Sequence, residues 1–329
     1  MKIGKLSVSQ LEDIIFKNIK KKRKESLNSP GIGDDCAALD LGDKVCYISS
    51  DPITGAVNEI GKLAINITCN DIATTGVEPI GVMVTILAPT TTTVEILKKV
   101  VIDMESECEK LNIDILGGHT EITDAVNKMI ISVTGIGIGT KDHYEKKKSI
   151  TSGDIILLTK GVGIEGTAII ASEKENELRS ILSLEELDFA KSMIEMTSVV
   201  KEGLISSDLS KGMHDVTEGG ILGAIWEVSK LSNLGVTIYK DKLKIYDVTS
   251  KICDFYNIDP LKLISSGSML IVVSPKNKDL LLEKLKSANI STSEIGFFTD
   301  NIEEKFIYDS HNNKSTISEP ESDELYKVI

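Results

Sequence analysis

A chain of 329 residues is long enough for two domains of ordinary size, and its 41% hydrophobic and 26% charged content suits a globular protein with a core in each. The 37 basic and 50 acidic side chains leave a formal net charge of −13, which argues against a nucleic-acid surface built on phosphate contacts and means that an anionic ligand needs a cation beside it. Five cysteines without a CxxC pair, an amino terminus without a hydrophobic signal core and no apolar run of membrane-spanning length lead us to expect a reduced, cytoplasmic protein with no membrane span.

In chain order, residues 6–24 carry Leu6, Leu11, Ile14, Ile15 and Ile19 at a spacing that predicts an amphipathic helix. It ends in the basic run Lys20-Lys21-Lys22-Arg23-Lys24, which reads as a solvated helix end favoured by the dipole. Next comes Gly31-Ile32-Gly33-Asp34-Asp35-Cys36, where glycines and adjacent carboxylates make either a plain turn or a site for a hard cation. Val45 to Ile48 reads as a strand that delivers Asp51, with Pro52 as a break.

A helix from about Glu59 to Thr75 places Ile60, Leu63, Ala64, Ile67 and Asp71 on one face. Burying Asp71 there costs several kcal/mol unless a cation or hydrogen-bond donors meet it. Gly76 is a helix stop. A strand over 80–87 and a helix over 94–111 follow, the latter with Val94, Leu97, Val101, Met104, Cys108 and Leu111 on one side.

The strand Ile113 to Leu116 runs into Gly117-Gly118-His119-Thr120-Glu121, where His119 and Glu121 project beside a backbone open to ligand; a lone histidine is also compatible with a purely structural role. After a β-rich run over 129–138, the polar segment 140–152 with Lys146-Lys147-Lys148 sets a domain boundary near 150, dividing the chain into 1–150 and 151–329.

Beyond it, the strand 154–159 leads into Lys160 to Thr167, a glycine cluster without the order of a P-loop. Residues 173–188 read as exposed helix or loop. In His214-Asp215-Val216-Thr217-Glu218-Gly219-Gly220, Thr217 is a candidate N-cap for a helix over 221–231, and Gly219 and Gly220 leave N–H groups open to an anion. Asp215 could hold a metal there. A strand over 269–273, a helix over 279–288 and a strand around 295–298 precede a polar tail in which no site is evident.

Five of these motifs, Gly-Ile-Gly-Asp-Asp-Cys-Ala-Ala-Leu, Ser-Asp-Pro-Ile, Asn70-Asp71-Ile72-Ala73, Gly-Gly-His-Thr-Glu and Met-His-Asp-Val-Thr-Glu-Gly-Gly, stand in the order found in one superfamily. The chain resembles the group of aminoimidazole ribonucleotide (AIR) synthetase, the carbamoyl-dehydrating hydrogenase maturation protein, thiamine-monophosphate kinase and selenide water dikinase, and is most similar to the hydrogenase maturation branch.

The resemblance implies a two-domain α/β (α+β) fold, with an amino-terminal sheet that forms a barrel across a homodimer, a carboxy-terminal α/β domain, and ATP between the domains. It implies Asp35, Asp51, Asp71 and Asp215 as Mg²⁺ ligands with Asp34 beside them, and Gly118 and Thr217, with Gly219 and Gly220, as nucleotide contacts. Asp71 and His119 are assigned to catalysis. His119 stands where an aspartate ligand is usual, and the chain ends Tyr326-Lys327-Val328-Ile329 without the branch's substrate-carrying cysteine.

The expected function is ATP- and Mg²⁺-dependent phosphorylation of an oxygen of a small amide or carbonyl acceptor. A thiamine-monophosphate kinase and a non-catalytic ATP-binding maturation partner are the alternatives.

Overall fold

The computed structural model describes residues 3–54, 58–146 and 149–329, so Lys147 and Lys148 of the connecting segment lie outside the described residues. Two mixed sheets carry the fold. The first takes β1 (Ala37–Asp40), β2 (Lys44–Ile53), β3 (Pro79–Pro89), β4 (Asp114–Thr123) and β5 (Ile130–Thr140) in the order β1-β2-β5-β3-β4. It is open, with β1 and β4 as its edges, and forms no closed barrel within one chain. The second takes β6 (Ile155–Thr159), β7 (Ser210–Asp215), β8 (Gly235–Tyr239), β9 (Met269–Val273), β10 (Thr292–Thr299), β11 (Lys305–Tyr308) and β12 (Lys314–Thr316) in the order β12-β11-β8-β10-β6-β9-β7.

Helix α1 (Ile60–Thr74) lies on the first sheet, packed against β2, β5, α2 (Val94–Leu111) and α4 (Val200–Ser206). Surrounded on every side, it buries all its residues except Lys62. Closing off Leu63, Ile65 and Ile72 contributes about 1.5–3 kcal/mol each. It stops because Gly76 turns to φ +79°, at a point where a Cβ would sit 2.5 Å from Ser207 Oγ. Helix α3 (Ile164–Glu173) joins the same core, and α5 (Gly220–Ser232) packs on the second sheet.

Four expectations need correction. Residues 6–24 do not form one helix: irregular helical turns run from Val8 to Asn18, and the basic run lies beyond them. Ile14, Ile15 and Ile19 stay substantially exposed, so no packed face supplies the tertiary stabilisation a short helix needs. Pro52 does not break β2, because β1 pairs only as far as Ile48 and leaves that side of the strand free of a ladder.

In α2, Val94 and Val101 are exposed while Val100, Met104, Glu107 and Cys108 are buried. The packed stripe is rotated because Glu107 goes inward, taking a hydrogen bond from Asn66 Nδ2 at 3.3 Å and an ion pair with Lys110 at 2.7 Å. Residues 173–188 are not simply exposed either, since Leu178 and Leu187 anchor two short helices in the core and Leu182 anchors the connection between them. Among the described residues no helix is long and apolar enough to cross a membrane.

Candidate functional site

Period-2 alternation along β2 sends Ser49 and Asp51 toward α1. Asp71, in the last turn of α1, meets them there: Ser49 Oγ donates to Asp71 Oδ2 and stands 3.4 Å from Asp51 Oδ2, so one hydroxyl joins two carboxylates from separate elements. Asp35, from the glycine loop, and His214 and Asp215, from the end of β7, complete the group. Each of these last three offers a ligand atom within 4.8 Å of the others.

The electrostatics show what the group lacks. Burial, and then Asp215, Asp51 and Asp35, push the Asp71 carboxyl well above its ordinary range. Burial and the neighbouring Asp35 raise Asp215 to about 8, with His214 acting against them. Asp35 is likewise pushed up by burial and pulled back by His214.

His214 is driven the other way. Burial disfavours its imidazolium, but Asp35 and Glu227 outweigh that and raise it to about 10. Glu227, despite its burial, is brought down to about 2 by His214 and Lys5. Lys5 Nζ closes the row at 2.7 Å from Glu227 Oε1. Asp215 Oδ2 is buried and completes no hydrogen bond. Crowded carboxylates of this kind, one with an orphaned oxygen, fit a hard divalent cation with oxygen ligands.

The cluster lies in a cleft of about 1150 Å³ that also reaches Thr217, Glu218, Glu165, Ser266 and Tyr326. Asp34 is exposed and lines the same cleft next to Asp35, outside the tight group.

The other predicted residues are placed differently. Thr217 faces the cleft but caps nothing, for the N-cap of α5 is Gly219 at φ +89°. The N–H of Gly219 is taken by Asp323 Oδ2 at 2.7 Å and that of Gly220 by Thr217 O at 3.0 Å, so neither glycine holds an N–H open to an anion.

Gly118 and His119 lie on edge strand β4. Register runs Asp51, Val133, Val84, Gly118 across the sheet, which is three strand spacings or about 14 Å. His119 belongs to the next row, Pro52, Ser132, Thr85, on the opposite face, and is 66% exposed. It therefore cannot act beside Asp71 of its own chain. Gly118 also has a packing reason to be glycine, since a Cβ there would fall 1.7 Å from Val84 O.

Sequence reasoning missed Ser49, Glu227, Lys5, Glu165 and the tail residue Asp323. Only Ser49 carried a local signal, its position two residues before Asp51 on one strand face.

Residues 33–139 match the family described as AIR synthase related protein, N-terminal domain, and residues 151–309 match its C-terminal domain. The chain belongs to the AIR synthase related family. A Methanocaldococcus jannaschii protein named for hydrogenase expression/formation is 30% identical over 292 residues, covering 86% of this chain and 84% of that protein. A solved HypE–HypF complex has 22% identity and a TM-score of 0.75, covering 95% of this chain and all of the other. A hydrogenase maturation protein HypE solved in complex with ATP has 18% identity and a TM-score of 0.72, covering 98% of this chain and 94% of the other.

Proposed function

We propose that this protein is an ATP- and Mg²⁺-dependent enzyme that transfers the γ-phosphoryl group to an oxygen of a small amide or carbonyl acceptor. The observation that carries the reading is the convergence of Asp35, Asp51, Asp71 and Asp215, from four separated segments, on one cleft with an uncompensated carboxylate excess. Those four residues would hold the ions. Mg²⁺ bound there supplies neutralisation of the charge that develops on the transferring phosphoryl group. Ser49 orients Asp71, and the His214 imidazolium adds a fixed positive charge at the cluster's inner side. Catalysis on this plan is positioning and electrostatics, and needs no nucleophilic side chain.

Family membership and the ATP bound by the HypE relative support the same reading. A homodimer is part of it. Ile80, Met83, Leu116 and Ile138 are exposed apolar side chains on the first sheet, as a second copy packing there requires. Gly118 and His119 stay in the proposal as residues that a second copy would bring to the nucleotide. By likeness to the HypE–HypF complex, a maturation partner protein is also proposed.

The test is ADP release with Mg·ATP and a range of small amides, in the wild type and in Asp71→Asn. Unchanged turnover in the variant overturns the proposal, and formation of the diphosphate from thiamine monophosphate replaces the amide acceptor with that substrate.

A further inference from the structure

The arm of helical turns from Val8 to Asn18 leaves Ile14 and Ile19 half exposed and Ile15 only partly covered. With Leu11 they are spaced as one face of a helix, yet the turns end at Asn18 and Ile19 is extended. Leu11 and Phe16 line the cleft, and the three isoleucines stand clear of it. The chain continues as Lys20-Lys21-Lys22-Arg23-Lys24, every one exposed and outside any helix. Arg23 pairs with Glu25 at 3.0 Å and Lys21 donates to Leu27 O at 3.3 Å, whereas Lys20 and Lys22 complete no hydrogen bond or ion pair among the described residues. The acidic side chains of the arm are already faced by cations, Asp13 by Lys17 and Glu12 by Lys230. Tertiary pairing adds a further apolar group: Asp40 N–H donates to Glu25 O at 2.7 Å, which sets the turn carrying exposed Leu41 beside the basic run.

We infer that this arm docks on an anionic lipid surface, with Ile14, Ile15 and Ile19 entering the headgroup boundary and the five basic side chains lying against lipid phosphates. The inference is independent of the phosphoryl-transfer reading. The unmet helical pattern supports it, because a bilayer supplies the apolar face whose absence stops the helix at Asn18, and the bound helix then extends through the basic run. Five consecutive cations point all round a helix axis, which suits mobile headgroups better than the fixed groove of an acidic protein. The net charge of −13 does not cancel the attraction, since charges beyond about 8 Å are screened at physiological salt.

The probes are phosphatidylcholine vesicles, alone and with about 30% phosphatidylglycerol, sedimented with the full-length protein. The wild type sediments with the anionic vesicles only, gains helical signal in far-UV circular dichroism, and is released at about 0.5 M salt. The triple variant Lys20→Gln, Lys21→Gln, Lys22→Gln partitions about 100-fold more weakly. The double variant Ile14→Ser, Ile19→Ser keeps the charge and partitions about tenfold or more weakly. All five positions are exposed, so the melting temperature of both variants stays at the wild-type value. No binding of the wild type to anionic vesicles, or binding unchanged in the lysine variant, overturns the inference. Binding that the isoleucine variant retains in full, and that soluble polyglutamate displaces, assigns the basic run to an acidic polypeptide and overturns it as well.

Discussion

His214 Nε2 lies 3.2 Å from Glu227 Oε2, and both side chains are buried beside the carboxylate cluster. The pair places a positive charge between Asp35 and Asp215 while its own counter-charge sits on the far side, tied to Lys5. The cluster is thereby held together before any metal arrives.

Removing Glu227 takes from His214 its nearest carboxylate, at 3.2 Å, and from Lys5 its ion-pair partner, and leaves Asp35 at 3.6 Å to face the imidazolium. Glu227→Gln is expected to lower the unfolding free energy by about 3 kcal/mol, measured by urea denaturation. The sign with pH follows from the two shifts. Glu227 is depressed to about 2 from 4.5, so its share is complete above pH 4.5 and is lost as pH falls toward 2. His214 is raised to about 10 from 6.5, so its share is complete below pH 6.5 and is lost as pH rises toward 10. The gap between wild type and variant is therefore widest between pH 4.5 and 6.5.

With pH, Asp215 acts in the same direction as His214 and opposite to Glu227. Its carboxyl is raised to about 8 from 3.8, so over that interval the unfolded chain gives up the proton first and rising pH favours unfolding, by up to about 1.4 kcal/mol per pH unit. The melting temperature of the metal-free protein should fall between pH 6 and pH 8. Mg²⁺, which binds the charged form, should shrink that fall; a pH dependence untouched by Mg²⁺ would count against Asp215 as a ligand.

Ser49→Ala removes the hydroxyl between Asp71 and Asp51 and nothing else of consequence at that position. We expect a stability loss of about 1 kcal/mol and weaker Mg²⁺-dependent binding of a nucleotide analogue by calorimetry. Binding equal to wild type would mean that Asp71 orients itself without the serine.

Gly76→Ala should cost about 1–3 kcal/mol, since alanine must accept φ +79° with its Cβ against Ser207. Thermal denaturation measures it, and Gly76→Asn, which tolerates positive φ better but keeps the Ser207 contact, separates the two causes.

Leu116→Glu puts a charge on an exposed apolar position, 54% accessible, of the first sheet. If two copies pack there, sedimentation shows a dimer in the wild type and a monomer in the variant. A wild-type monomer would remove the second copy from the proposed site.

Much of this was legible locally. The burial of Asp71 follows from its place on the Ile60, Leu63, Ile67 stripe, and α2 begins and ends where its pattern does, capped by Thr93 and by Asn112 in the left-handed region. The tail gave no such signal. Asp323 reaches Gly219 N–H from 104 residues away, and no spacing rule announces such a partner.

By itself, then, the amino-acid sequence determined α1, α2 and α5, most of the strands and the identity of the acidic residues, because a side chain's inward or outward direction repeats with the local backbone period; it misread residues 6–24 and did not announce α4. The tertiary structure alone decided that Asp51 and Asp71 share one hydroxyl and that Gly118 lies three strands away with His119 on the other face. Strand order, register and the partner of a buried polar atom are set by pairing between distant segments, which compete through packing of the whole chain and leave no mark in any short stretch of it.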